Sequence, residues 1–328
     1  MITRRTLATA AAGLAAALAL SVPAFAAEDY PTKRITILVP YSPGGATDVL
    51  ARQVAELMQQ DLGETVVVEN RPGAGATLGT TLAANARPDG YTLFMGQVSS
   101  HGIAPAVYKA LQYDPVADFT PVTNLISIPN VMVVNKDSPA DSVEEFLELG
   151  REGGMTFGSS GVGSSIHLSG EMFKSRTGLD MTHVPFRGSG EAVPALISGD
   201  VDVMFDNLPS AIPHIRSGAL KALAVTTPER AEALPDVPTL DESGIEALDD
   251  FSARAWFGIL VQDDVDPAIV ATLSESLNRV LATDDFVAFA QGRGAAIEGG
   301  SPEEFADFIE NELAQWKEVV DEAGVSVE

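Results

Sequence analysis

Short apolar runs alternate with longer amphipathic stretches along most of the chain. Ile35–Val39 is apolar apart from Thr36, the pattern of a strand buried on both faces. From Ala46 to Asp61, Val49, Leu50, Val54, Leu57 and Met58 recur at helical spacing while Arg52, Gln53, Glu56 and Gln59 point away, and Gly63 closes the segment. Thr65–Val68 reads as the next strand, Thr77–Ala86 as the next helix and Thr92–Met95 as a third strand. This βαβαβ order predicts a mostly parallel sheet flanked by helices.

A second series starts near Val131–Val134. Ser142-Val143-Glu144-Glu145 has the form of a capping box ahead of a helix through Leu149. Met155–Ser159, Val201–Phe205, Ala222–Thr226 and Trp256–Val261 read as strands, and Ser165–Thr177 as a helix. Asp266-Pro267 opens a helix through Leu281, and Ser301-Pro302-Glu303-Glu304 opens the last one, with Phe305, Phe308, Ile309, Leu313, Trp316 and Val320 on one face. Two α/β units in series predict two lobes with a cleft between them, a common place for a ligand.

Composition narrows the chemistry. The 328 residues are enough for about two domains of ~100–200 residues. With no cysteine, disulfides, thiolate catalysis and cysteine-ligated metal centres are excluded. The net charge of −26 argues against a nucleic-acid partner, because phosphates need Lys and Arg. Such acidity opposes compaction except where salt screens it, which predicts a salt-loving source and a halophilic-type surface. The first 26 residues read as a cleaved leader: Arg4 and Arg5, an apolar run Leu7–Leu20, then Ala24-Phe25-Ala26 as the small-x-small site. That run is short for a membrane span of ~20 residues. Thr3-Arg4-Arg5-Thr6-Leu7 also has the look of a twin-arginine export signal.

Two glycine-rich segments sit between a strand and a helix, Pro40–Asp48 and Gly158–Ser165. Glycines let backbone approach a ligand, and the first amides of a helix lack partners within it, so such loops suit an anion. They are also ordinary strand-to-helix turns, with Asp48 or Ser164 as helix caps. A third glycine segment, Asn70–Gly75, follows the second strand. Neither a dinucleotide fingerprint nor a phosphate-binding P-loop is present. There is no Gly-x-Ser-x-Gly elbow, and His101, His167, His183 and His214 are not spaced as metal ligands. Asp206 ends an apolar strand, where it either caps the next turn or meets a ligand.

Taken together, these blocks resemble the substrate-binding proteins of tripartite tricarboxylate transporters, the Bug family. The resemblance runs through Tyr30-Pro31-Thr32-Lys33, Val39–Asp48, Val68–Gly75, Pro88–Leu93, Tyr113-Asp114-Pro115 with Asp118-Phe119, Gly163–Leu168, His183–Gly188 and Leu234–Thr239. It departs at Ala104, where many relatives carry Asn. The resemblance implies a two-lobed α/β periplasmic binding protein of type II-like form, not an enzyme and without a cofactor, acting as a monomer. It would bind a small carboxylate and deliver it to integral-membrane permease subunits, or report it to a membrane sensor kinase. Lobe 1 is expected over residues 27–128 plus 251–328 and lobe 2 over 129–250, with crossings near Ile128 and Phe251. The expected ligand residues are Ser42, Gly44, Gly45, Ala46, Thr47, Asp48, Ser100, Ser159, Gly163, Ser164, His167 and Asp206. Backbone amides, hydroxyls and water would hold the carboxylate, leaving Arg187 and Arg254 dispensable.

Overall fold

The computed structural model describes residues 30–323 and Ser326. The expected leader and its cleavage site lie outside the described residues. Among the described residues no helix is long and apolar enough to cross a membrane.

The first half begins as the apolar pattern predicts. Strand β1 (Ile35–Val39) is buried and pairs in parallel with β2 (Val66–Asn70) and β3 (Thr92–Gln97). Helix α1 (Ala46–Leu62) buries Leu50, Val54, Leu57 and Met58 and ends at Gly63, whose φ of 74° is left-handed and whose N–H returns to Gln59 O. Helix α2 (Thr77–Ala84) follows β2. A buried π-turn, Ser99–Ile103, then leads from β3 into the short helix α3 (Ala104–Val107).

The second half repeats the arrangement. Helix α4 (Val143–Gly150) is capped by Ser142, which accepts from Glu145 N–H. Strand β5 (Met155–Ser159) pairs in parallel with β6 (Met181–Pro185) and β7 (Val203–Asn207), connected by α5 (Ser165–Thr177) and α6 (Ser189–Ser198). Helix α7 (Leu208–Arg216) leads to β8 (Leu220–Val225).

Two long strands join the halves. β4 (Phe119–Asn135) pairs through Phe119–Pro129 with β9 (Arg254–Gln262), and through Asn130–Asn135 with β7 and β8. The sheet is therefore mixed rather than mostly parallel. Its wings are parallel, but β4 and β9 run antiparallel to each other and to the strands they adjoin, as does β10 (Ala296–Gly299) beside β4. One strand must leave the first half and another return to it, and burial patterning does not encode the direction of a partner. Alternate residues of β4 feed opposite faces of the second half: Met132 and Val134 join Phe157, Phe173 and Phe205, while Val131 and Val133 join Ile166, Leu196 and Met204.

The closing segments are α8 (Pro267–Leu281), α9 (Asp284–Gln291) and α10 (Pro302–Ala323). α10 returns to the first half. Phe305 packs edge-on against Trp256 of β9, where Gly258 leaves room for its ring. Glu312 accepts from both indoles, Trp256 Nε1 at 2.8 Å and Trp316 Nε1 at 2.9 Å.

Candidate functional site

The first glycine loop joins β1 to α1. Gly44 holds φ 89°, and Gly45, the cap residue, supplies no side-chain bond to the helix start. The opening turn of α1 is thus left with uncapped amides and the positive end of its dipole. Asp48 is buried beneath the loop, its carboxylate accepting from Gly44 N–H at 2.9 Å, Arg52 Nη2 at 2.8 Å and Asn70 Nδ2 at 2.9 Å. Burial works to raise this carboxyl, but the bonds from Arg52, Gly44 and Asn70 outweigh it and hold it below the usual range. Asp48 therefore stays ionised and shapes the loop with its own charge neutralised.

The second glycine loop joins β5 to α5 and is closed on itself. Ser159 Oγ accepts from Gly161 N–H at 3.0 Å and lies 2.6 Å from His183 Nε2. Gly163 N–H donates to His167 Nδ1 at 3.2 Å, and His167 N–H donates to Ser164 Oγ at 3.1 Å. The two imidazoles lie with centroids 4.1 Å apart and planes tilted by 31°. Burial first, then His183 and Lys174, pushes His167 down to about 3; burial, then Lys174, pushes His183 down to about 4. Both rings are neutral braces at physiological pH. Ser159 and His183 have the spacing of a nucleophile and base, yet Ser159 is fully buried and already engaged by the loop backbone.

A third loop, absent from the sequence expectation, faces the first. Ser42 N–H donates to Arg187 O at 3.1 Å. Helix α6 starts at Ser189 after Gly188, whose φ of 154° suits glycine and which gives no side-chain cap. A Cβ on Gly45 would stand 3.6 Å from Ser189 Cβ and 3.7 Å from Gly190 N, so the two helix N-termini without side-chain caps face each other with about one carbon's width between them. Asp206 supports this second terminus: it is fully buried and accepts from Ser189 Oγ at 2.5 Å and from Ser210 Oγ. Burial raises its carboxyl to about 6 against the opposing effect of those hydroxyls.

Buried hydroxyls gather beside these termini. The Tyr41 and Ser42 hydroxyls are enclosed, and that of Ser42 has no hydrogen-bond partner among the described residues. Burial pushes Tyr41 up to about 12, with Ser99 and Ser160 close by. Ser99 Oγ accepts from Ser165 N–H at 3.2 Å, which brings the π-turn against the second glycine loop.

Ser42, Gly44 and Gly45 lie in the loop that faces Arg187–Gly190, Ala46 and Thr47 follow in the first turn of α1, and Asp206 stands behind the terminus opposite. Ser100 does not reach it: its hydroxyl donates to Gln97 O at 3.0 Å and lies 2.8 Å from His101 Nδ1, so Ser99 is the neighbour that faces the other half. The polar groups of Asp48, Ser159, Gly163, Ser164 and His167 described above are committed to loop structure. Arg187 is 69% exposed and paired with Glu191, and Arg254 lines a separate cavity of about 460 Å³ beside the crossing strands. A further cavity of about 1280 Å³ lies between α8 and the start of α10; Asp263, Asp264, Glu275 and Glu303 make it a poor anion site.

Residues 50–325 match the family model of the tripartite tricarboxylate transporter family receptor. The chain belongs to this family. It is 35% identical to the protein BugT of Bordetella pertussis over 92% of each chain. Among solved structures it is similar to the periplasmic binding protein BugD, with 33% identity, TM-score 0.87 and coverage of 91% of this chain and 100% of that one. It is also similar to MatC from Rhodopseudomonas palustris with bound malate, with 34% identity, TM-score 0.84 and coverage of 89% and 100%. A further R. palustris relative was solved with adipate, at 33% identity, TM-score 0.87 and coverage of 90% and 99%. The fold is that of these periplasmic binding proteins, two of which were solved with a carboxylate, malate or adipate.

Proposed function

We propose that this receptor is exported to the periplasm with its leader removed after Ala26, closes on a small carboxylate between its halves, and delivers it to an integral-membrane permease. What supports two lobes is the change of sheet partners at Pro129 and Asn130 on β4 and between Ala253 and Arg254 on the way into β9. On this reading the flanking segments form lobe 1, the segment between them lobe 2, and closure is the meeting of the Ser42–Gly45 and Arg187–Gly190 loops.

One observation carries the ligand class. Two helix N-termini without side-chain caps face each other at Gly45 and Ser189, beside the buried hydroxyl of Tyr41 and the buried, unpartnered hydroxyl of Ser42. Each terminus presents roughly half a positive charge, and a shared carboxylate would satisfy both without a cationic side chain. Bridging water can complete the remaining contacts at little cost. The net charge of −26 opposes the approach of an anion at long range, but salt screens that term within about a nanometre. The malate and adipate held by relatives support a dicarboxylate as the first acid to test.

A thermal-shift panel of malate, adipate, citrate, acidic amino acids and aromatic acids tests the proposal. An acid at 100 times its Kd stabilises the folded chain by ~2.7 kcal/mol, a clear upward shift. No shift with any acid, confirmed by calorimetry, would remove the carboxylate reading.

A further inference from the structure

A second seam crosses the cleft, separate from the facing helix termini. Tyr108 follows α3 in the first half. Its hydroxyl lies 2.8 Å from Val162 O, in the glycine loop of the second half, and 3.1 Å from Ala74 O, in a turn of its own half. A phenol has one proton, so these carbonyls on opposite sides compete for a single donor, and the shorter bond is the one across the cleft. Burial raises the Tyr108 pKa, so the proton is present throughout the neutral range.

The backbone at this seam admits no side chain. A Cβ on Gly75 would collide with Val162 O, and one on Gly161 would lie 3.0 Å from Gly75 Cα. A Cβ on Gly163 would press the Tyr108 ring at 3.0 Å. The turn carrying Ala74 is held in an uncommon shape, with Ala74 at φ 46° and Ala76 at φ 86°. These contacts lie on loops other than Ser42–Gly45 and Arg187–Gly190, so they respond to closure without sharing the groups proposed to hold the ligand.

We propose that Tyr108 is a closure latch: its hydroxyl donates to Val162 O when the halves meet and falls back on Ala74 O when they part. This rests on the receptor reading above. The fallback acceptor means that opening exchanges a hydrogen bond instead of stranding a buried donor, while Val162 O returns to water. Such a latch is weak and quickly reversible, as cargo hand-over requires. Tyr108 touches the closing backbone, so its effect falls on release and not on ligand recognition.

The chain has no cysteine, so two introduced cysteines take spin labels without background. Val116→Cys and Asp180→Cys lie at exposed sites on opposite halves. With this pair in place, Tyr108→Phe is expected to shift the unliganded distance distribution toward the longer, open separation. Malate dissociation is expected to quicken roughly three- to ten-fold with association unchanged, the range of one neutral hydrogen bond. Gly75→Ala keeps every donor but blocks the approach, so it should prevent the short distance even in saturating malate. Circular dichroism identifies any variant that has not folded. Distances in folded Tyr108→Phe that match the parent, or closure of folded Gly75→Ala to the parent distance, would overturn the latch. If the parent binds neither malate nor adipate, the ligand assignment fails, while the unliganded distances still decide the latch.

Discussion

Replacing Asp206 with Asn isolates one buried charge. The carboxyl is fully buried and raised from 3.8 to about 6 by desolvation, even though Ser189, Ser210 and the Asn207 backbone favour its anion. The folded protein therefore holds this proton more tightly than the unfolded chain does. The stabilisation it contributes is complete below pH ~4 and is lost as pH rises through about 6. The displacement corresponds to ~3 kcal/mol between the two limits. Asp206→Asn removes this term while retaining an acceptor for a serine hydroxyl. Urea unfolding of both proteins from pH ~4 to ~8 should give a stability difference that turns against the parent by ~3 kcal/mol, most steeply between pH ~4 and ~6. Subtracting the two curves cancels the other carboxylates. A difference that stays constant across this range would refute the charge assignment. The same anion stands behind Ser189, where the proposal puts a ligand carboxylate, so malate affinity should also weaken as pH rises through about 6.

Three shorter predictions follow from the same geometry. Ser42→Ala removes a buried hydroxyl with no partner among the described residues, so calorimetry with malate should show about ten-fold weaker binding while Tm stays level or rises. Arg187→Ala breaks only an exposed pair with Glu191 and should leave affinity within about two-fold of the parent; abolished binding with the loops intact would contradict an amide-built site. Tm measured against NaCl should climb toward ~2 M salt if the excess of acidic over basic residues is an adaptation to salt, and a flat profile would reject that origin.

Local signals placed the elements well where one physical cause dominates. Ile35–Val39, Met155–Ser159, Ser165–Thr177 and Pro267–Leu281 have the bounds that burial runs, caps and turn residues indicate. The pattern of β4 is legible only over Val131–Val134 because Pro121, Thr123, Asn124, Ser127 and Pro129 break its alternation; the register shifts between Pro121 and Thr123 and again between Asn124 and Ile126. α6 and α7 escape the local pattern for a related reason. Pro194 and Pro213 sit inside these helices and Pro209 in the first turn of α7, where a local rule reads proline as a stop. Tertiary burial of Val193, Leu196 and Ile212 overrides that penalty.

The site divides along a different line. Ser159, Gly163, Ser164 and His167 have the composition of an anion loop, but several of their donors and acceptors are engaged with each other and with His183. Gly188-Ser189-Gly190 has the same composition at the end of β6, and its helix start is left without a side-chain cap. Residue types reveal which loops are able to bind an anion; hydrogen-bond bookkeeping reveals which still have capacity to do so. Strand-to-helix turns with two glycines, sorted by whether a cap or a neighbouring histidine consumes the first amides, single out Gly188 as a further candidate terminus beside Gly163. Neutral histidines make that division durable. With His167 near 3 and His183 near 4, the paired imidazoles carry no charge above about pH 5, so the second glycine loop keeps its shape across the pH range in which Asp206 titrates. Once the ionisation of the ligand's own carboxyl groups is subtracted, the protein's contribution to the pH response of binding should therefore follow Asp206 down to about pH 5, and loss of the loop should appear only as the imidazoles begin to protonate.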